Sequence, residues 1–66
     1  MKSYILNANE TISYERHGFT GRYLPVARNV NGVPRLFGAL PARTSLKTAA
    51  EALDGFAKEH GLEEFY

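Results

Sequence analysis

The 66-residue chain contains no cysteine and no tryptophan. Without cysteine, neither a disulfide bond nor a thiolate zinc site can stabilise the fold. A chain of this size buries roughly 60% of its unfolded surface, so residues 1–66 can form one domain at most. No apolar run approaches the roughly 20 residues of a membrane span, and the apolar run at the start is too short for a signal peptide. We therefore expect a soluble intracellular protein without membrane contact, in a compartment that these features do not identify.

Acidic residues are missing from the whole middle of the chain. The net charge of +1 divides into −1 for residues 1–15, +6 for residues 16–50 and −4 for residues 51–66. Such an asymmetry bears on partners and encounter rates rather than on fold. Either the basic and acidic segments pair with each other across the folded surface, or one of them meets a partner.

Strand patterns fill the first 40 residues. Strand-forming residues and a period-two alternation of polar and apolar residues predict a first hairpin from residues 3–7 and 11–16. Residues 22–30 and 33–40 flank Asn31-Gly32. Asn-Gly between two apolar-rich runs is typical of a two-residue type I′ turn, so it predicts a second hairpin.

That turn would make Arg28 and Arg35 cross-strand neighbours. Their repulsion would be destabilising unless the acidic C-terminal segment or an external polyanion lay between them. Pro25 and Pro34 cannot donate to a ladder, so each should lie at an edge, at a bulge or at a non-bonded position. A bulge at either proline would exchange the two faces of the hairpin.

A helix follows the strands. We expect Ser45 to be its N-cap and Gly61 its left-handed C-cap, with Leu62 folding back on Ala57. Gly55 in the helix interior is either a mild weakness or a place of close packing. The residues expected to form one apolar stripe at helical spacing are Leu46, Ala49, Ala50, Leu53, Phe56, Ala57 and His60.

This order of elements predicts a two-layer α+β domain. Its antiparallel sheet would have three to four strands, and the C-terminal helix would pack on one sheet face. The other face would remain uncovered, and we expect a functional surface there.

The residues needed for catalysis are not grouped in the sequence. There is no cysteine nucleophile, and His17 and His60 have structural interpretations at a strand end and in the last helical turn. No carboxylate pair has metal-ligand spacing around either histidine, and no phosphate-binding loop is present. We expect a non-enzymatic protein without cofactor or metal.

Binding is the function class that remains. Arginine suits planar recognition of phosphate, carboxylate or bases. The candidate basic surface on the sheet comprises Arg22, Tyr23, Arg28, Arg35, Phe37 and Arg43. The candidate acidic surface on the helix and tail comprises Glu51, Asp54, Glu59, Glu63 and Glu64.

The run from Gly21 to Gly61 resembles the AP2-like DNA-binding domains of phage and transposon integrases. The matching segments are residues 22–28, Asn31-Gly32 and residues 48–53. The same stretch is similar to the HicB antitoxin partial fold through Asn31-Gly32, Leu40-Pro41 and residues 51–53. These resemblances imply a small DNA-binding or regulatory module whose arginine-bearing sheet face contacts duplex DNA.

In size and organisation the chain also resembles the small accessory proteins of phages and mobile elements, of which the anti-CRISPR proteins are one group. That resemblance implies an inhibitor in the cytoplasm of a bacterial host cell, where it occupies a surface of a host protein–nucleic-acid complex such as a CRISPR–Cas effector. The acidic residues could then imitate a phosphate backbone. We expect a monomer or a weak dimer, and this inhibitor function is our first hypothesis.

Overall fold

One antiparallel sheet and one helix make up the computed structural model, which describes residues 2–65. The elements are β1 (Ser3–Asn7), β2 (Glu10–Arg16), β3 (Tyr23–Asn29), β4 (Pro34–Leu36), α1 (Leu46–His60) and β5 (Glu64–Phe65). The strands lie in the order β4-β3-β2-β1-β5. The expected two-layer α+β class with one helix on the sheet is confirmed. The C-terminal residues, expected to form a tail, add the fifth strand beside β1.

The core lies between one sheet face and α1. Ile12 of β2 and Leu53 of α1 are fully buried at its centre. The remaining buried members are Tyr4, Tyr14, Ala27, Ala49 and Ala57. Both tyrosines satisfy their hydroxyl groups at the edge of this core, as buried tyrosines usually do. Tyr4 donates to Asp54 Oδ1 at 2.6 Å, and Tyr14 donates to the Pro41 carbonyl oxygen at 2.7 Å.

Both predicted helix caps are confirmed. Ser45 is extended, and its Oγ accepts a hydrogen bond from the Thr48 amide at 3.2 Å. Gly61 has φ +66°, a left-handed conformation that suits glycine. The Leu62 amide then donates to the Ala57 carbonyl oxygen at 2.8 Å, so the chain folds back as expected.

The buried line of α1 is narrower than the predicted stripe. Ala49, Leu53 and Ala57 recur every four residues and are buried against the sheet. By contrast, 51% of Leu46 is exposed, and His60 is exposed beside the ring of Phe56. The two ends of the stripe therefore do not belong to the core.

The predicted type I′ turn at Asn31-Gly32 is wrong. The Gly32 amide donates to the Asn29 carbonyl oxygen, and Asn29 donates in turn to the Val33 carbonyl oxygen. Gly32 has φ +79°, whereas no residue other than glycine has positive φ within the described chain. This arrangement is the three-residue turn with a glycine bulge. The Asn29 side chain stabilises it by accepting hydrogen bonds from the Asn31 and Val33 amides at 2.9 and 3.0 Å.

This turn shifts the hairpin register by one residue. Arg28 pairs with Pro34, and Ala27 pairs with Arg35. Arg28 and Arg35 are therefore not neighbours on one face, as we predicted, but lie on opposite faces of the sheet. A one-residue shift has this effect because side chains alternate between the faces along a strand.

The two prolines occupy different kinds of position. Pro34 begins the edge strand β4, where a missing donor is tolerated, as expected. Pro25 lies in the inner strand β3, and its carbonyl oxygen accepts from the Phe37 amide just after β4 ends. Because the amide and carbonyl of one strand residue point to the same neighbour, the missing donor of Pro25 faces the end of β4, where pairing stops.

Candidate functional site

The sheet face opposite α1 is not covered by any element of the described chain. Strand register places its members, because residues paired across strands share a face. We call this surface the uncovered face, and its residues are Ser3, Ile5, Thr11, Ser13, Glu15, Leu24, Val26, Arg28, Pro34, Leu36 and Phe65. The prediction that one face stays open is consistent with this arrangement, and of the candidate basic surface Arg28 lies on this face whereas Arg35 does not.

Large apolar side chains are exposed at both sides of the uncovered face. On the β4 side, 67% of Leu36 is exposed, and at the β1–β5 side 39% of Ile5 and 54% of Phe65 are exposed. Contiguous apolar surface on a small soluble domain marks an interaction site more often than isolated apolar residues do.

An ion pair crosses the middle of this face. Arg28 Nε and Nη2 donate to the two carboxylate oxygens of Glu15 at 2.5 and 2.6 Å, and Arg28 Nη1 donates to the Gly32 carbonyl oxygen at 2.8 Å. Arg28 and Glu15 flank the cross-strand pair of Ser13 and Val26. Their side chains therefore reach towards each other over Val26, which explains why this valine is only 9% exposed on a face without a covering element.

The two groups of this ion pair each favour the charged form of the other. The Arg28 guanidinium, hydrogen-bonded to the carboxylate, holds the pKa of Glu15 below its usual value, against the opposing effect of partial burial. The carboxylate likewise raises the pKa of Arg28. Both groups are charged at neutral pH, and together they leave the centre of the uncovered face without net charge.

Two shallow depressions lie on either side of the ion pair. One, of about 470 Å³, is lined in part by Ile5, Thr11, Arg28, Val30 and Phe65. The other, of about 290 Å³, lies between the end of β2 and strands β3 and β4, and it is lined by Glu15, Arg16, His17, Leu24, Val26, Pro34, Arg35 and Leu36. The uncovered face thus offers two apolar hollows separated by a polar ridge.

Arg35 and Phe37 of the predicted basic surface belong to the opposite face. Arg35 binds both carboxylate oxygens of Glu10 at 2.7 and 2.9 Å and lies over the Phe37 ring. Phe37 in turn packs edge-on against Phe56 of α1. The Arg35 guanidinium, with help from the Asn7 amide, lowers the pKa of Glu10 to about 2. The acids that neutralise the two hairpin arginines therefore come from β2, not from the C-terminal segment.

Arg22 and Arg43 lie at one end of the molecule. Tyr23, the first residue of β3, pairs with Arg16 on one side and bridges to Arg43 on the other. Arg22 directly precedes this row, and Lys47 lies in the first turn of α1. We call Arg16, Arg22, Arg43 and Lys47 the basic end. Among residues 2–65, none of these four side chains forms a salt bridge.

The five predicted acidic residues have different roles. Asp54 accepts the hydrogen bond from Tyr4, and Glu64 pairs with Lys2 at 3.6 Å. The Glu63 backbone accepts from the Ile5 amide at 2.8 Å and helps to hold β5 in the sheet. The two others, Glu51 and Glu59, are exposed on α1. At least two of the five carboxylates therefore have partners within the chain.

The histidines have local contacts. His17 Nδ1 is 3.3 Å from the Thr20 amide nitrogen, which donates to it, and His60 stacks at a tilt on Phe56 with 4.3 Å between ring centres. No group of three histidine or carboxylate side chains that could hold a metal ion occurs within residues 2–65. Within the same range, no helix has the length and apolar character needed to cross a membrane.

Sequence reasoning missed the apolar members of the uncovered face and the ion pair between them. The alternation in residues 11–16 places Thr11, Ser13 and Glu15 on one face of β2. A two-residue turn at Asn31-Gly32 gives the wrong hairpin register, and with that register this face cannot be joined correctly to β4. The useful signal was Asn29, whose side chain can cap a three-residue turn that ends in Gly32.

No protein-family model, curated protein or solved structure matches this chain. The resemblances to AP2-like domains, to the HicB partial fold and to anti-CRISPR proteins therefore stay predictions.

Proposed function

We propose that this protein is a non-enzymatic binding domain that contacts a partner protein through the uncovered face. The observation that carries the proposal is the pair of apolar depressions on either side of the Glu15–Arg28 ion pair. Apolar burial supplies most of the favourable free energy of protein association, and a satisfied polar group within the surface adds selectivity.

The fitting partner presents apolar side chains to both depressions and polar groups to the ridge. It does not need a strong charge of either sign, because the ion pair leaves the centre of the face neutral. This requirement favours a protein surface over duplex DNA. The alternative hypothesis, a DNA-contacting sheet, finds a single arginine in the middle of this face, and Glu15 already binds it.

We further propose that the partner is a component of a host protein–nucleic-acid complex in the bacterial cytoplasm and that binding inhibits it. This part of the proposal rests on the resemblance in size and organisation to phage accessory proteins. Imitation of a phosphate backbone by the acidic residues is not needed for it, since the uncovered face supplies a different contact surface.

The experiment compares two double variants that add the same charge at exposed apolar positions. Leu36→Lys with Phe65→Lys alters the uncovered face. Val33→Lys with Leu46→Lys is the matched control, because these residues are similarly exposed, at 58% and 51%, and line neither of the two depressions. Lysine is tolerated at sheet edges, and circular dichroism checks that each variant is folded.

Each protein is immobilised and exposed to a bacterial lysate with and without nuclease. We expect the wild type and the control to retain the same protein partner after nuclease treatment, and the face variant to lose it. Equal retention by all three proteins would contradict the proposed surface. Loss of the partner on nuclease treatment would show that nucleic acid, not the uncovered face, makes the contact.

A further inference from the structure

The loop between β2 and β3 presents an aromatic ring to solvent from a well-fixed backbone. The His17 amide donates to the Arg22 carbonyl oxygen at 2.7 Å, and the Gly21 amide donates to the His17 carbonyl oxygen at 2.8 Å. The Thr20 amide donates to the His17 ring, and the Thr20 hydroxyl accepts from the Arg22 amide. At the tip of this loop, 95% of Phe19 is exposed.

The Phe19 side chain does not contribute to the core of the fold. Phe19 is not among the residues that form the core or pack against it. An apolar ring on a preorganised loop loses little conformational entropy when a partner covers it, so such a ring is suited to binding. Its neighbours in space and sequence therefore indicate what it could bind.

Those neighbours are the cations of the basic end. Arg16 and Arg22 flank the loop, and Arg16, Tyr23 and Arg43 lie side by side on three adjacent backbone segments. With a strand spacing of about 4.8 Å, the backbones of the two outer arginines are about 10 Å apart. Lys47 adds a fourth cation at the start of α1, whose first turn contains no acid. Arg16 and Arg22 thus flank the loop that carries Phe19, and Arg43 and Lys47 follow at the same end of the sheet and at the start of α1. None of the four forms an ion pair within residues 2–65.

We propose that the basic end and Phe19 form a binding site for single-stranded nucleic acid. Cations that follow the phosphates, together with an aromatic side chain on which a base stacks, are the two components of such sites. Three of the four cations are arginines, which bind phosphate through two donors and also stack on bases. Apart from Arg16, which also lines the smaller depression, this site lies outside the uncovered face, and it goes beyond the protein contact proposed above.

Two other anionic partners fit the same surface less well. Duplex DNA keeps its bases stacked inside the helix, so it would use the arginines and leave Phe19 without a role. An anionic membrane would need more buried apolar area than one phenylalanine provides. Both partners are tested alongside the single strand.

Fluorescence anisotropy with a labelled 12-nucleotide single strand of mixed sequence, as RNA and as DNA, measures the affinity at several salt concentrations. We expect binding at 50 mM salt, with a slope of log affinity on log salt of about −2 to −3 if three to four cations contact phosphates. Phe19→Ala should weaken binding about fivefold or more and leave the slope unchanged, because stacking releases no counterions. Arg22→Gln with Arg43→Gln should make the slope shallower by about 1.4.

Two variants at the other parts of the molecule are the controls. Phe65→Ala removes a second exposed phenylalanine, which is 54% exposed, and Lys58→Gln removes a cation from the last turn of α1. Both should bind the single strand as the wild type does. None of the test variants lies on the uncovered face, so failure here leaves the proposed protein contact standing.

Three results would overturn the site. They are the absence of single-strand binding at 50 mM salt, equal affinity of Phe19→Ala and the wild type, and tighter binding to the duplex of the same sequence. Co-sedimentation with vesicles of phosphatidylserine and phosphatidylcholine, in the absence of single-strand binding, would assign the surface to membranes instead.

Discussion

Two glycines of the C-terminal region give the sharpest test of the fold. Gly55 lies in the interior of α1, and Gly61 is its C-cap. A Cβ atom at either position would meet no atom within 4 Å, so packing does not distinguish them. Backbone conformation does, because Gly61 has φ +66° and Gly55 is helical.

We expect the same substitution to have opposite effects at these sites. Gly55→Ala should stabilise the protein by about 1 kcal/mol, since glycine is the poorer helix former by this amount. Gly61→Ala should destabilise it by about 1–2 kcal/mol, the cost of a left-handed residue with a Cβ atom. The unfolding entropy of a 66-residue domain is about 140 cal/mol/K, so 1 kcal/mol shifts Tm by about 7 °C.

Circular dichroism at 222 nm, in thermal and urea unfolding, measures both changes. Unaltered urea m-values would show that the substitutions change stability and not the compactness of either state. If Gly55→Ala left the free energy of unfolding unchanged or lowered it, the description of position 55 as an open helix interior would be refuted. Shifts of the same sign at both glycines would refute the argument that backbone conformation decides.

Three further substitutions test the ion pairs, the cap and the core. Glu10→Gln should remove a stabilisation that is present above about pH 5 and is lost as pH falls towards 2, because Arg35 holds the pKa of Glu10 near 2 in the folded state. Urea unfolding from pH 7 to pH 2 should therefore show wild type and variant converging in acid, and Glu51→Gln, on the exposed face of α1, should not reproduce this trend. Ser45→Ala should cost about 1 kcal/mol in urea unfolding, because the N-cap acceptor is lost; no change would argue against the cap. Leu53→Ala should cost about 2–5 kcal/mol and leave much of this small domain unfolded at 25 °C by circular dichroism, whereas a cooperative wild-type transition would place Leu53 outside the core.

The helix could be predicted from sequence because its signals are local. Ser45 caps the residue three positions later, and Gly61 closes the last turn. The spacing of Ala49, Leu53 and Ala57 marks the buried side without reference to any other element. The succession of strands before the helix and the class of the fold were predicted in the same way, from alternation and turn residues, whereas β5 was not predicted.

The register of the second hairpin could not be predicted from Asn31-Gly32 alone. That pair is compatible with a two-residue turn and with a three-residue turn that ends in a left-handed Gly32. The choice depends on Asn29, whose side-chain oxygen accepts from two amides across the turn. Because the two turns differ by one residue, the error moved each residue of β4 to the wrong face relative to β3.

The charge pattern of the sequence could be interpreted only once the strand register was known. The segment of residues 16–50 carries six cations and no acid, which suggested one basic sheet face. In the structure, Glu15 and Glu10 of β2 bind Arg28 and Arg35 on opposite faces. The other four cations of this segment form the basic end, where β2 ends and where β3 and α1 begin.

This division gives the two proposed surfaces different physical signatures. Contact through the uncovered face depends on apolar burial around a neutral ion pair, so added salt should weaken it little. Contact through the basic end depends on counterion release and should weaken steeply as salt rises. A partner that is a protein–nucleic-acid complex could engage both surfaces at once, and the two contacts would then reinforce each other through effective concentration. The affinity for such a complex should therefore fall with salt to a plateau, and the plateau should be abolished by Leu36→Lys with Phe65→Lys and preserved by Phe19→Ala.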